Sequence, residues 1–229
     1  MNDEIYYHND HVSSSIILRC FRKHLKGHVL EVGAGIGGVT KELAKIADQV
    51  TSLEPNPDLF HSLRTEVSKM PNVKILQADT AMLSDTVQRD HSGKFDVVLY
   101  LNVLEHIQDD VDELRRARRL LVPNGVLIIV VPAHKWLYSR IDRLTGHYRR
   151  YSKRMISYCV GTQFDSFRVT SFDTVGIIPY LLVYRLLGST KVSGVQAKFY
   201  SHVILRLSYL TYRVSSGRMV GKNYLVVAQ

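Results

Sequence analysis

Cysteine is nearly missing from this chain. Cys20 and Cys159 are the only two in 229 residues, with no C-x-x-C pair and no zinc-ligand spacing. That excludes a disulfide framework and a thiolate metal centre, and it fits two reduced core thiols in a cytosolic protein. The opening residues, Met1 to His8, are polar and lack a basic-then-apolar signal, so a cytoplasmic location is expected. A long apolar run is lacking too, since the very apolar stretch Ile177 to Leu187 is too short to span a bilayer. Repeats, low-complexity segments and linkers are absent, and 229 residues suffice for one domain with a full core.

Acidic residues are scarce in the second half. From His134 onward there are 15 Lys or Arg against 3 Asp or Glu, a net of +12. Residues 1–133 hold 15 basic and 18 acidic residues, a net of −3. This asymmetry points to an acidic ligand, an anionic membrane or nucleic acid near the second half, or to solvated basic faces.

What is present is a glycine turn. Val29-Leu-Glu-Val-Gly-Ala-Gly-Ile-Gly-Gly38 runs from an apolar segment into glycines, and Val39 to Ala47 then has helical character. Val50-Thr-Ser-Leu-Glu54 follows, a second apolar run ending in a carboxylate. Glycines let backbone approach a ligand closely, and a carboxylate at the end of the next strand can hold ribose hydroxyls. Gly33, Gly35 and Gly38 satisfy the dinucleotide pattern G-x-G-x-x-G. Glu31, Gly33, Gly35 and Gly37 satisfy E-x-G-x-G-x-G instead, where Glu31 can accept hydrogen bonds from an ammonium group. A tight turn with no ligand is the third alternative.

Periodicity predicts a helix over 12–25, with Ser13 to Ser15 offering N-cap oxygens, and another over 109–121. Strands are predicted at 28–32, 49–53, 73–78, 95–101 and 126–131, then 168–172 and 224–228, with Pro123-Asn-Gly125 as a break. Alternating strands and helices imply an α/β, Rossmann-like doubly wound sheet of seven strands.

The E-x-G-x-G-x-G turn, Glu54, Asp79, Asn102-Val-Leu-Glu-His-Ile107 and Leu121-Val-Pro-Asn-Gly-Val126 together resemble class I S-adenosylmethionine-dependent methyltransferases. The resemblance implies a mostly parallel sheet with an antiparallel last strand and a helical lid. It implies a single domain over 1–229, with a cofactor core at 25–133, a substrate loop and lid at 134–220, and a terminal strand at 221–229. The cofactor would be S-adenosyl-L-methionine. Glu31 would take its ammonium, Gly33, Ala34, Gly35 and Gly37 its carboxylate, Glu54 and Pro55 the ribose, and Asp79, Thr80 and Asn102 the adenine and methionine ends. Asp79 alone is equally explicable as a helix N-cap.

Asp142, Gly146, His147, Arg149, Arg150 and Tyr151 form D-x-x-x-G-H-x-R-R-Y, which looks like a bacterial branch associated with glycan, lipid or secondary-metabolite pathways. This loop follows strand five, where open parallel sheets bind ligands. His147 is the expected general base, because imidazole ordinarily titrates near neutral pH. His134, Tyr138, Arg149, Arg150 and Tyr151 are the expected acceptor contacts, the arginines suiting a phosphate or carboxylate. The bland alternative is that His147 packs the loop and an arginine bridges to Asp142.

Related O-methyltransferases carry E-x-x-E-H after strand four as divalent-metal ligands. Here the first carboxylate is Asn102, so Glu105, His106 and His147 are expected to hold no metal. Lys198 to Arg213 has the pattern of a basic amphipathic helix, which suits a lid, a dimer contact or an anionic membrane surface. The leading expectation is methyl transfer to oxygen on a small-molecule, lipid or glycan acceptor. An RNA methyltransferase using the basic half, a non-catalytic scaffold and a nicotinamide oxidoreductase are the alternatives.

Overall fold

Seven strands form where the apolar runs lie: β1 His28–Val32, β2 Gln49–Leu53, β3 Val73–Leu76, β4 Phe95–Leu101, β5 Leu121–Pro132, β6 Phe167–Phe172 and β7 Asn223–Ala228. In the computed structural model, which describes residues 11–83, 93–189 and 193–229, they make one sheet of order β3-β2-β1-β4-β5-β7-β6. Pairings from β3 through β5 are parallel, and β7 runs antiparallel to both of its neighbours. The expected doubly wound sheet with an antiparallel last strand is therefore found.

Central strands are apolar on both faces because helices cover both. Successive residues of β4 feed opposite cores: Val98 and Tyr100 pack with Leu30, Leu127 and Ile129, whereas Val97 and Leu99 pack with Val29, Ile128 and Val130. The strand order reverses between β1 and β4, and the crevice above their C-terminal ends is where such sheets bind ligands.

Several boundaries depart from the sequence expectation. Helix α1 spans His11–Arg19, so Ser13 and Ser14 lie inside it as buried residues and do not cap it. Helix α2 covers only Gly38–Leu43, and α3 covers Pro57–Val67, with the Asn56 side chain accepting from two backbone amides at its start. Helix α4, Asp110–Leu120, is capped by Asp109. Pro123-Asn-Gly125 does not end a strand; it is an irregularity inside β5, with Asn124 at φ 63° and the pairing with β4 shifted between Phe95 and Val97. Short helices α5, Arg140–Leu144, and α6, Lys153–Gly161, precede β6.

Two helical rods stand where a lid is expected. Ile177–Tyr180 continues as a π-helix over Leu181–Leu186. Gly194–Phe199 continues through a π-helical Tyr200–Ile204 into Leu205–Ser215. Such π turns are rare and recur at functional sites. No helix among the described residues is long and apolar enough to cross a membrane.

Candidate active site

The glycine turn after β1 is shaped by two close approaches. Gly33 has φ +70°, and a Cβ there would sit 2.7 Å from Val103 Cγ2, so only glycine fits. The Gly35 amide donates to Glu54 Oε2 at 2.8 Å, and the Asn56 amide donates to Glu54 Oε1 at 2.9 Å. Glu54 thus braces the turn from the end of β2 while remaining on the wall of a cavity.

That cavity, of about 930 Å³, opens at the C-terminal ends of the parallel strands. Gly33, Gly35, Glu54, Pro55, Asp79, Thr80 and Asn102 all lie on its wall. Two of them have structural duties as well. Asp79 Oδ1 accepts from the Met82 amide, the N-cap alternative, and the Thr80 hydroxyl donates to both oxygens of the Glu113 carboxylate at 2.7 and 2.8 Å.

Three expected cofactor residues stand elsewhere. Glu31 is buried with its carboxylate turned to the Thr40 and Ser52 hydroxyls, which donate at 2.6 and 2.7 Å. Burial pushes its pKa up to about 7, against the pull of those two hydroxyls. Through Oε2 the carboxylate fastens the turn to α2 and β2. Ala34 is buried with its amide bonded to the Leu53 carbonyl, and Gly37 initiates α2 against Leu63. Neither lines the cavity.

The loop after β5 presents His147 to the cavity. Its Nδ1 lies 2.9 Å from Asp142 Oδ1, its own backbone amide donates to the Asp142 carbonyl, and its carbonyl accepts from the Tyr138 hydroxyl. Nε2 is 4.0 Å from Glu105 Oε1, beyond hydrogen-bond reach. Burial pushes the Asp142 carboxyl up, but the His147 hydrogen bond, the Arg150 guanidinium and the Tyr180 hydroxyl outweigh it and hold the group well below the usual range.

Of the five expected acceptor contacts, only Arg150 lines the cavity. Even there it is not free for an anion: Nε donates to Asp142 Oδ1 at 2.8 Å and Nη2 donates to the Tyr180 hydroxyl at 2.6 Å. Arg149 is turned away to Asp110 and the Gln108 carbonyl. Tyr151 is fully buried, donating to Asp110, and Tyr138 holds the His147 carbonyl. His134 sits at φ 64° between Trp136 and Tyr224, outside the cavity wall. For the loop, the bland alternative of an arginine bridging to Asp142 is what forms, alongside His147.

The inner half of the cavity was largely missed from sequence. Pro179, Tyr180, Val183, Tyr184, Phe199 and Tyr200 come from the two lid rods to line it. Beneath them Asp173 accepts from Ser208 at 2.8 Å and from the Tyr200 hydroxyl, and Lys222 lies 3.2 Å from Asp173. Lys222 also stacks over the rings of Tyr200 and Tyr180. The spacing of these tyrosines is ordinary helical spacing, and nothing in sequence links Asp173 to Lys222.

One cluster remains unbalanced. Ligand atoms of Glu105, His106 and His147 all lie within 4.8 Å of one another. Glu105 is fully buried and neither carboxylate oxygen has a hydrogen-bond partner among the described residues. Burial drives its pKa up to about 8, and burial together with the neighbouring His147 drives His106 down to about 4. Two imidazoles beside a desolvated carboxylate are a donor set that suits a divalent cation.

A family model described as "Methyltransferase domain" matches residues 6–166. The ubiquinone biosynthesis O-methyltransferase of Xanthomonas oryzae pv. oryzae is 27% identical over 143 residues, 55% of this chain and 56% of that protein. The protein of the same name from Xanthomonas campestris pv. campestris is 31% identical over the same length and shares. The chain thus spans 56% of the length of these relatives. A SAM-dependent methyltransferase structure from Archaeoglobus fulgidus superimposes with a TM-score of 0.63 at 16% identity, covering 93% of this chain and 91% of that one. This last likeness is one of fold.

Proposed function

The chain belongs to the methyltransferase-domain family, and from that premise we propose that it transfers the methyl of S-adenosylmethionine to a hydroxyl of a small, largely apolar acceptor. The observation carrying this reading is that one cavity joins Gly33, Gly35 and Glu54 at one end to His147 and an aromatic pocket at the other. The bound cofactor supplies a methyl already activated on a sulfonium, so the protein has mainly to align and deprotonate the acceptor.

In this reading Glu54 holds the ribose hydroxyls, the Gly33–Gly35 backbone approaches the methionine carboxylate, and Asp79, Thr80 and Asn102 flank the adenine. Glu31 acts at one remove, by fixing the turn through Thr40 and Ser52. His147 Nε2 takes the acceptor proton as the oxygen attacks, while Asp142 stabilises the imidazolium. Both cations near the acceptor end, Arg150 and Lys222, already face Asp142 and Asp173. That pairing supports an uncharged, lipid-type acceptor over an anionic one, and an acceptor of that kind brings the protein to the periphery of a membrane.

A second reading concerns the cation, and the unpartnered Glu105 carboxylate favours it. A divalent ion there would be held by Glu105, His106 and His147 Nε2, would lower the pKa of an acceptor hydroxyl, and would remove His147 from the role of base. Calorimetry with S-adenosylmethionine and with NADH, in EDTA and in added magnesium or manganese, tests both readings. Binding of S-adenosylmethionine alone supports the methyl-transfer reading; binding of NADH alone, or of neither, overturns it. A manganese isotherm abolished by Glu105→Gln supports the cation, and no isotherm rejects it.

A further inference from the structure

The 194–215 rod carries an apolar face that nothing in the described residues covers. Val195, Phe199, Val203, Leu207, Leu210 and Val214 recur at helical spacing and are between 38% and 81% exposed. An exposed stripe of that length is unusual for a soluble surface and marks an interaction face. The opposite side of the same rod is committed to the interior: Tyr200 and Leu205 line the cavity, and Ser208 bonds to Asp173. The neighbouring 177–186 rod repeats the arrangement, with Ile178, Leu182 and Leu186 exposed while Tyr180 points inward.

Charge along the rod itself has one sign. From Thr174 to Gln229 the sequence contains no aspartate or glutamate. Beside Leu210, an open groove of about 740 Å³ between α1 and the rod is lined by Arg19, Arg206 and Arg213. None of the three pairs with a carboxylate among the described residues, and Glu42, the acid on the groove wall, is engaged with Lys45. Guanidinium groups on an apolar floor that also holds Tyr209 and Ile16 are suited to phosphate headgroups above and acyl chains below.

We propose that the face made by the 194–215 rod and α1 docks on an anionic lipid bilayer, with the Val195–Val214 stripe entering the interface and Arg19, Arg206 and Arg213 taking lipid phosphates. Phe199 belongs both to this stripe and to the cavity wall, so docking places the acceptor entrance at the lipid surface. The proposal extends the lipid-type acceptor of the preceding section, yet its test reads binding to lipid alone and stands or falls without catalysis.

The test is flotation of the purified full chain with vesicles of phosphatidylcholine, and with vesicles that also contain phosphatidylglycerol, each with and without free inorganic phosphate. Binding is expected only to the anionic vesicles and is expected to survive the free phosphate. Arg206→Ala with Arg213→Ala should weaken it about thirty-fold at low salt, taking about five-fold per arginine near an anionic surface. Leu207→Ser with Leu210→Ser, both exposed, should weaken it further with melting unchanged. Equal binding to both vesicle types, no vesicle binding, or binding indifferent to all four changes overturns the proposal. So does a dimer by sedimentation that Leu207→Ser with Leu210→Ser dissociates, since the stripe would then belong to a second copy.

Discussion

Glu105→Gln isolates the cost of a buried carboxylate that has no hydrogen-bond partner among the described residues. Both oxygens of Glu105 are inaccessible and have no hydrogen-bond partner among the described residues, and burial lifts its pKa from 4.5 to about 8. A carboxyl raised in this way lends stability below its unfolded pKa and loses it as pH climbs toward the folded value. Between the two values the folded protein keeps a proton that the unfolded chain has released, so each pH unit removes about 1.4 kcal/mol. From the unfolded pKa of 4.5 to neutral pH the loss is on the order of 3 kcal/mol. Glutamine has the same shape and does not titrate.

Urea unfolding in EDTA, from about pH 5 to about pH 8, should therefore show the variant gaining on wild type as pH rises. Glu31, with its pKa raised to about 7, and His106 and His134, with theirs lowered, also titrate near this window. They are present in both proteins, so the wild type-minus-variant difference largely removes them, although His106 borders the mutated site. On the cation reading, manganese added at the alkaline end restores wild type and leaves the variant unchanged, because the cation would hold the ionised form; on the metal-free reading it changes neither. Parallel pH slopes for the two proteins would refute the reasoning.

Other substitutions address the remaining roles. Glu54→Ala should weaken S-adenosylmethionine binding about ten- to a hundred-fold by calorimetry, the worth of a charged hydrogen-bond acceptor; unchanged affinity in a folded variant removes Glu54 from the ribose. His147→Ala should lower turnover about 10²- to 10⁴-fold while cofactor affinity holds, and wild-type turnover would leave the imidazole as loop packing. Arg150→Met leaves the buried Asp142 carboxylate short of its cation and should cost about 3–5 kcal/mol in denaturant unfolding; a loss below about 1 kcal/mol would show the pair to be dispensable.

The half of the site built from local sequence was legible before the structure. Gly33, Gly35, Glu54, Asp79 and Asn102 each sit at a strand end, so a strand assignment delivers them to one edge of the sheet. Glu31 was legible as a motif, but spacing cannot show that Ser52, next door on β2, and Thr40 on α2 both donate to its Oε2. The partners of the loop residues were hidden for a related reason. Arg149 and Tyr151 look available in sequence, but Asp110 at the start of α4 lies against both. Aspartates separated by thirty or more positions from their partners leave no periodic trace.

Asp142 shows why those long-range partners matter to the chemistry. Held ionised, it has only acceptors to offer, so the proton between it and His147 sits on Nδ1. Its other oxygen accepts from the Ser139 amide and hydroxyl and from Tyr180, and Arg150 bonds to both Asp142 and Tyr180. Tyr180 belongs to the 177–186 rod, whose outer face carries exposed leucines. On the proposed role of His147 as base, the group that orients it is tied by one phenol to a rod that lines the same cavity. A rod displaced far enough to withdraw Tyr180 would also release one donor from Asp142, so in the proposed mechanism the position of that rod and the alignment of His147 are coupled.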